Sequence, residues 1–418
     1  LLRRLARAVR ALAAPQGAQL SSADVAALFP RGPRTSVSRL ECMARCAFQH
    51  FGQYALRLQP RAVHELGALD LGRLSHAILE HFFNELIDNN RTLRDLTPRQ
   101  IAASLERVRR HILPRFAAEM SLEEPAADAV DRQTARDLSV ALDAQHHWSS
   151  AGRPTATEVV FGSRSDETAA DADATPAADA WPALTLTTPA GRTVELHGKI
   201  DRIDVIREGG RALGVVYDYK RGRDVRLRLD HVFYGLSLQT LAYLLVLREH
   251  GDRLKVGSIT PTAAFLAPLL GGFRSVDHPS DADGEDFDPY RVFNPRGVID
   301  FDWIDRLDPD LAPGQRSRTY AVYRKQDDTI GYFDASDALS GDEFAALLDF
   351  VRHRMGELAD RWLDGDVRVR PRAVAGQLPC GRCDYAAVCR FEAGVTDVDF
   401  LRPLTRSDVA ERLRTAQR

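Results

Sequence analysis

Two runs rich in Ile, Val and Leu, Leu196 to Ile206 and Ala212 to Lys220, carry the two-residue period of extended chain. Between them lies Glu208-Gly209-Gly210-Arg211, whose paired glycines predict a tight hairpin turn. Elsewhere the period lengthens. Leu71 to Leu86, Ser237 to Val246 and Gly341 to Asp364 repeat apolar residues at helical spacing. Helices are expected to dominate from about 36 to 150, the sheet to begin near Thr157-Glu158-Val159-Val160-Phe161, and helices to resume from about Ser340. Two tracts break the pattern. Ser163 to Ala180 is Ala/Asp-rich and expected to be mobile, and Gly271 to Gly297, rich in Gly, Asp and Pro, is expected to form a long surface loop. No internal repeat is visible. The fold class is α/β, a central mixed sheet flanked by helices.

The hairpin also carries the chemistry. It contains Gly198-Lys199-Ile200-Asp201-Arg202-Ile203-Asp204 on one side and Asp218-Tyr219-Lys220 on the other. Alternate residues of a strand share a face, so Asp218 and Lys220 point one way and Tyr219 the other, with Asp201 placed to join the pair. Two converging carboxylates suit a hard divalent cation such as Mg2+, and an adjacent ammonium can orient a water and meet charge developing on a phosphodiester. Such trios also occur as solvated charged faces. Here, however, only four of the 56 basic residues are lysines, Lys199, Lys220, Lys255 and Lys325. Arginine serves nearly everywhere that a positive charge suffices, so Lys220 reads as a chosen ammonium.

Further candidates lie on helices. His76 opens the 71 to 86 helix with Glu80 one turn on, and a neutral imidazole there is a plausible extra metal ligand, although a lone helical His is more often structural. Gln239 and Tyr243 fall on one face of the 237 to 246 helix, where they could touch DNA or steady Lys220. Arg221 to Arg228 is dense in arginine directly after the second strand, either a phosphate-binding surface or a solvated loop.

Five cysteines complete the inventory: Cys42, Cys46, and a Cys380-x2-Cys383-x5-Cys389 array near the C-terminus. An odd count and the tight C-x2-C spacing favour metal coordination over disulfides. Three thiols need a fourth ligand, which Cys46 would supply from the far end of the chain, with Cys42 one helical turn away as an alternative. Four thiolates hold either tetrahedral zinc or a [4Fe-4S] cluster, and spacing leaves both open.

Composition sets the class. The chain has 418 residues, 44% hydrophobic and 28% charged, with a net charge of -3 from 56 basic and 59 acidic residues, so any nucleic-acid surface must come from local clustering. The longest obvious apolar run, Leu241 to Leu247, falls far short of the roughly 20 residues a membrane helix needs. No membrane partner and a cytoplasmic location are expected. A Gly-x4-Gly-Lys-Ser/Thr phosphate loop is absent, so this stretch is not expected to hydrolyse ATP. The basic, amphipathic Leu1 to Arg10 fits either a transit peptide, which is also Arg-rich and acid-poor, or the tail of a preceding region in a longer protein.

Taken in order, these motifs resemble the RecB-like branch of the PD-(D/E)XK nucleases, most closely AddB-type C-terminal nuclease domains of AddAB helicase-nucleases. The matching features are Ser36 to Glu41 leading to Cys46-Ala47-Phe48, Gly72 to His76, Gly198 to Asp204, Asp218 to Lys220, Gln239 to Tyr243 and the terminal cysteines. Ala47 stands where the family usually has Pro, and Met43 where an aromatic is frequent. The resemblance implies a restriction-endonuclease-like core over 36-395, between an N-terminal helical tail (1-35) and a C-terminal tail (396-418). It implies metal binding by His76, Asp201, Asp218 and the Tyr219 backbone carbonyl, and a catalytic set of Asp201, Asp218, Lys220, Gln239 and Tyr243. It further implies Mg2+ or Mn2+ as the metal and a [4Fe-4S] cluster on Cys46, Cys380, Cys383 and Cys389 that joins the ends of the fold. The implied activity is exonucleolytic cleavage of single-stranded DNA ends, of the 5'-ended strand by family analogy, with an AddA-like helicase/nuclease as the partner in double-strand-break repair. A free-standing exonuclease with the same cluster and a non-catalytic, cluster-stapled DNA-binding scaffold are the alternatives.

Overall fold

The computed structural model describes residues 19-29, 32-59, 66-162, 180-223, 225-271 and 288-416. In chain order the elements begin with α1 (Ser22–Leu28), β1 (Arg34–Ser36), α2 (Val37–Arg45) and α3 (Ala47–His50). A helical stretch follows: α4 (Ala68–Asp88), α5 (Pro98–Glu119) and α6 (Glu124–His146). Then come β2 (Arg153–Phe161), β3 (Leu184–Thr187), β4 (Thr193–Glu208), β5 (Arg211–Lys220), α7 (Leu229–Phe233), α8 (Gln239–His250), β6 (Ser258–Pro268), β7 (Arg296–Asp300) and α9 (Ile304–Leu307). The chain ends with β8 (Tyr323–Arg324), β9 (Ile330–Gly331), β10 (Ala338–Leu339), α10 (Gly341–Leu363), β11 (Arg372–Val374), α11 (Ala386–Cys389), β12 (Asp399–Leu401) and α12 (Arg406–Ala416).

One mixed sheet runs β1-β4-β5-β6-β7-β10, with β2 and β3 also paired to the long β4. The β4-β5 and β6-β7 pairs are antiparallel, while β5-β6, β7-β10 and β1-β4 are parallel. The expected hairpin is present: β4 ends at Glu208, β5 starts at Arg211, and Gly209 and Gly210 both hold positive φ (+48° and +92°). A two-residue turn with both central φ values positive matches the right-handed twist of the strands it joins, and glycine takes that conformation without strain. A second glycine is required by close approach. Gly198 faces Phe161 across the β2-β4 ladder, and a Cβ there would come within 2.8 Å of the ring.

Each face of the sheet carries its own core. Val194, Leu196, Ile203, Val216 and Leu266 pack under α2, α8 and α10, whereas Leu213, Val215, Tyr217, Tyr219 and Phe265 pack under α4, α5 and α6. Helix α8 is buried almost all round, from Thr240 to Leu247, so its apolar residues serve the sheet on one side and α10 on the other.

Several expectations change. The sheet begins earlier than Thr157, at Arg153, and gains β1, whose three residues are too few to show a period. The 35/36 boundary therefore runs through a strand of the sheet, and before it Leu20 N donates to Gly365 O while Phe29 meets Trp362 edge-on. The boundary at 395/396 likewise falls between β11 and β12, which pair in parallel, and α12 buries Val409, Ala410 and Leu413. The 271-297 loop is shorter than expected. Pro289–Phe293 forms a 3-10 turn and Arg296 and Gly297 already belong to β7, while 272-287 lies outside the described residues. The 1-10 segment and residues 163-179 of the Ala/Asp tract also lie outside them. No described helix is long and apolar enough to cross a membrane.

Candidate active site

Strands β4 and β5 and helices α4 and α8 deliver their polar residues to one end of the sheet. The register that sets Arg202 opposite Tyr217 carries Asp201 to the place beside Asp218. Asp218 and Lys220 share one face of β5, and Tyr217 and Tyr219 enter the core on the other. With His76 from α4 and Gln239 and Tyr243 from α8, they line a cleft of about 300 Å³ together with Ser36, Ser38 and Lys199.

Asp201 anchors the cleft. Its Oδ2 accepts the Tyr219 amide at 2.7 Å, and its Oδ1 lies 3.5 Å from His76 Nδ1. The same nitrogen lies 3.5 Å from Glu158 Oε1, and His76 Nε2 is 3.2 Å from the Tyr219 carbonyl oxygen. Burial works against a charged imidazole, but the hydrogen bonds and charges of Asp201 and Glu158 outweigh it and carry the His76 pKa up to about 10. Burial likewise opposes the Asp201 carboxylate, yet His76, Lys220 and the Tyr219 amide together hold its pKa below the usual value. Asp218 behaves differently. Burial dominates and, reinforced by the Asp201 charge against the pull of Lys220, raises its pKa to about 6.

Lys220 closes the arrangement. Its Nζ is 2.5 Å from Asp218 Oδ2 and donates to Gln239 Oε1 at 3.4 Å, and Gln239 Nε2 donates to the Tyr243 hydroxyl at 2.6 Å. Glu41, half-buried in α2, accepts the Leu238 and Gln239 amides at 2.6 and 2.9 Å and so fixes the start of α8. All five residues expected to act, Asp201, Asp218, Lys220, Gln239 and Tyr243, are thus brought together, as is His76.

Glu158 is the residue that sequence reasoning passed over. Among the described residues, His76, Glu158 and Asp201 are the one trio of potential ligands whose donor atoms all lie within 4.8 Å of one another. Asp218 lines the same cleft outside that trio. Glu158 arrives from β2 with φ of +47°, a left-handed backbone that costs a non-glycine residue roughly 1 kcal/mol or more. Lys199 pairs with its other oxygen. Its sequence signal was slight, an acid inside an apolar strand. Glu80 acts through its charge on Lys199.

The cysteines gather elsewhere. Cys46, Cys380, Cys383 and Cys389 line one pocket with Phe48, Pro371, Pro379 and Phe391. All are free thiols, and burial raises the pKa of both Cys46 and Cys380, the latter to about 11. The backbone amides of Gln49, Phe48 and Arg370 work against burial at Cys46 without overcoming it. Cys42 lies outside the pocket wall, buried, its thiol 3.8 Å from Gln53 Oε1. In the arginine-rich stretch, Arg221 pairs with Asp137 at 2.7 Å and Arg228 with Asp230 at 2.6 Å, which leaves less free positive charge than composition suggests.

A family model described as "PD-(D/E)XK nuclease superfamily" matches residues 34-390. Curated relatives named as the B subunits of ATP-dependent helicase/deoxyribonucleases include one from Symbiobacterium thermophilum, 30% identical over 392 residues that cover 91% of this chain and 32% of the relative. Those from Listeria welshimeri (27% identity, 93% and 32%) and Bacillus pumilus (28%, 87% and 30%) are similar. The chain spans about a third of the length of these relatives.

Proposed function

Since the chain belongs to the PD-(D/E)XK nuclease superfamily, we propose that it is the nuclease domain of an AddAB-type helicase-nuclease, a metal-dependent deoxyribonuclease that trims single-stranded, 5'-ended DNA during double-strand-break repair. The observation that carries this reading is the convergence of His76, Glu158 and Asp201 with Asp218 and Lys220 in one open cleft. An AddA-like helicase/nuclease is the proposed partner.

The donor set fits a hard cation. Carboxylate oxygens and an imidazole surround a point where the protein, by itself, stabilises a positive charge on His76. Mg2+ or Mn2+ at that point would displace the proton, held by His76, Glu158 and Asp201 with Asp218 and the Tyr219 carbonyl close by. Such an ion, when bound, neutralises phosphodiester charge and acidifies water. The remaining work falls to the chain. The Tyr219 amide keeps Asp201 ionised and oriented. Gln239, braced by Tyr243, holds Lys220 toward the cleft, where its ammonium directs the attacking water and meets charge on the non-bridging oxygens. The water gives up a proton to solvent as its oxygen bonds to phosphorus, the bond to the leaving sugar oxygen breaks, and that oxygen takes up a proton from solvent.

Cys46, Cys380, Cys383 and Cys389 are proposed to hold [4Fe-4S] in a structural role. The apolar wall around the four thiols and the Phe391 amide that donates to Cys389 Sγ suit a cluster. The sites join residues 334 positions apart, so Cys383→Ala is expected to lower folded yield.

The deciding experiment digests end-labelled single-stranded DNA with anaerobically purified protein, with Mg2+ or with EDTA, while recording the visible spectrum. Metal-dependent cleavage by brown protein is the expected result. A brown protein that binds DNA and never cuts it, even with its helicase partner, would replace the nuclease with a scaffold.

A further inference from the structure

A second polar pocket opens on the same face of the sheet as the cleft. Asp218 of β5 is registered with Leu266 of β6, and Leu266 with Arg296 of β7. Registered residues of neighbouring strands project to one face, so Arg296 stands two strand spacings from Asp218, ~10 Å away. Beside it lies a pocket of about 350 Å³ whose wall includes Arg226, Arg228 and Arg406.

Its acids are already engaged. Asp230 Oδ2 accepts from Arg228 at 2.6 Å, Asp337 accepts from Arg296 at 2.9 and 3.1 Å, and Asp334 accepts the Ser407 amide at the first turn of α12 at 2.8 Å. Two cations remain. Neither Arg226, which is exposed, nor Arg406, only 9% exposed, forms an ion pair with a described residue. Arg406 Nε has no hydrogen-bond partner, and its Nη2 reaches only the Ala338 carbonyl at 3.5 Å. Asp337, Glu343 and Asp334 act on Arg406 only through their charges, against burial and the like charge of Arg296; a guanidinium removed from water without a direct ion pair is unfavourable, and its planar fork matches the oxygens of a phosphate.

We propose that the pocket between Arg226 and Arg406 binds a backbone phosphate of the strand being cut, one that lies beyond the scissile phosphate. This rests on the nuclease reading and extends it: the pocket would fix how the strand leaves the cleft. Phosphate contacts of this kind set register and carry no base preference.

The test measures binding of a fluorescent single-stranded oligonucleotide by anisotropy, in EDTA and over a series of KCl concentrations, for the whole chain and for Arg406→Gln and Arg226→Gln. Each lost contact is expected to weaken binding equally for all sequences and to reduce the slope of log K against log salt by up to about 0.7. With Mg2+, KM should rise while kcat stays unchanged. Arg226 is exposed, so its variant keeps the test valid if Arg406→Gln folds poorly. An unchanged slope in the folded variants overturns the proposal. So does a pocket that takes free phosphate alone, seen as inorganic phosphate raising the Tm of the wild type but not of Arg406→Gln, with oligonucleotide binding unaltered. A slope change in the variants beside a wild type that never cleaves, even with its helicase partner, would sink the nuclease reading and leave the phosphate site standing.

Discussion

Two acid-base pairs sit on opposite faces of one hairpin and do opposite things. On the face toward α4 and α6, Arg202 Nε is 2.9 Å from Asp204 Oδ1, and both side chains are about 95% buried. The guanidinium stacks over Phe83 and Tyr217 at 4.4 and 4.3 Å and donates to Gln145 Oε1 and the Tyr219 hydroxyl. On the face toward α8, Lys220 is 2.5 Å from Asp218, but the lysine is 40% exposed in the cleft. The first pair is walled by aromatic rings that want a broad planar cation. The second ends in an open cleft, where the proposed chemistry calls for a compact ammonium donor. Sign and distance are alike, so it is access to solvent that separates a fastening from a pair placed to meet a substrate.

The largest expected effect breaks the open pair. Asp218→Ala and Lys220→Ala should cut DNA more slowly by about a thousandfold or more while their Tm stays near wild type, as removal of a positioned charge-stabilising group does elsewhere. Lys220→Arg should fail nearly as badly, because the charge remains and the geometry does not; full activity in that variant would mean that charge alone suffices. Breaking the closed pair should act on stability. Arg202→Ala leaves Asp204 buried without its cation and is expected to cost about 3–5 kcal/mol in urea denaturation, and the double change Arg202→Met with Asp204→Leu should recover most of it. A double variant as unstable as the single one would show that the aromatic stacking, not the ion pair, matters there.

Smaller effects sharpen the contrast. Glu158→Gln removes one oxygen charge from the candidate metal centre and should raise the Mg2+ concentration for half-maximal cleavage by about tenfold or more, with little change in Tm. Asp366 is an intermediate case. Burial works against its charge, yet hydrogen bonds and charges from Arg368 and Arg361 hold its pKa down to about 2. A carboxylate with a depressed native pKa stabilises the fold above its unfolded value and loses that contribution as pH falls through the native one. With one arginine largely exposed, about 1 kcal/mol should disappear between pH 4 and pH 2, and Asp366→Asn should flatten that part of the stability profile. An unchanged profile would mean that the pair is equally satisfied when unfolded.

Sequence periodicity went furthest where structure is local. The Gly209-Gly210 turn, the shared face of Asp218 and Lys220 and the long helix to Leu363 all follow from neighbouring residues, and the structure bears them out. Glu158 was invisible because its role depends on β2 lying antiparallel to β4 and on one left-handed backbone angle. Arg202 and Asp204 sat inside a motif read for its chemistry, yet the alternation that brings Asp201 into the cleft turns both of them away from it. β1 was missed for want of length.

By itself, then, the chain determined the elements, the hairpin and the chemical identity of the groups that could act, because hydrophobic period, turn conformation and donor type are properties of short stretches. Only the tertiary structure decided which of those groups meet. His76, Glu158 and Asp201 come from α4, β2 and β4, and Cys46 from the opposite end of the chain to Cys380, and no local preference specifies such distances. They are set by sheet register and by the packing of helices on its two faces, which together decide where water is excluded and where a cleft stays open.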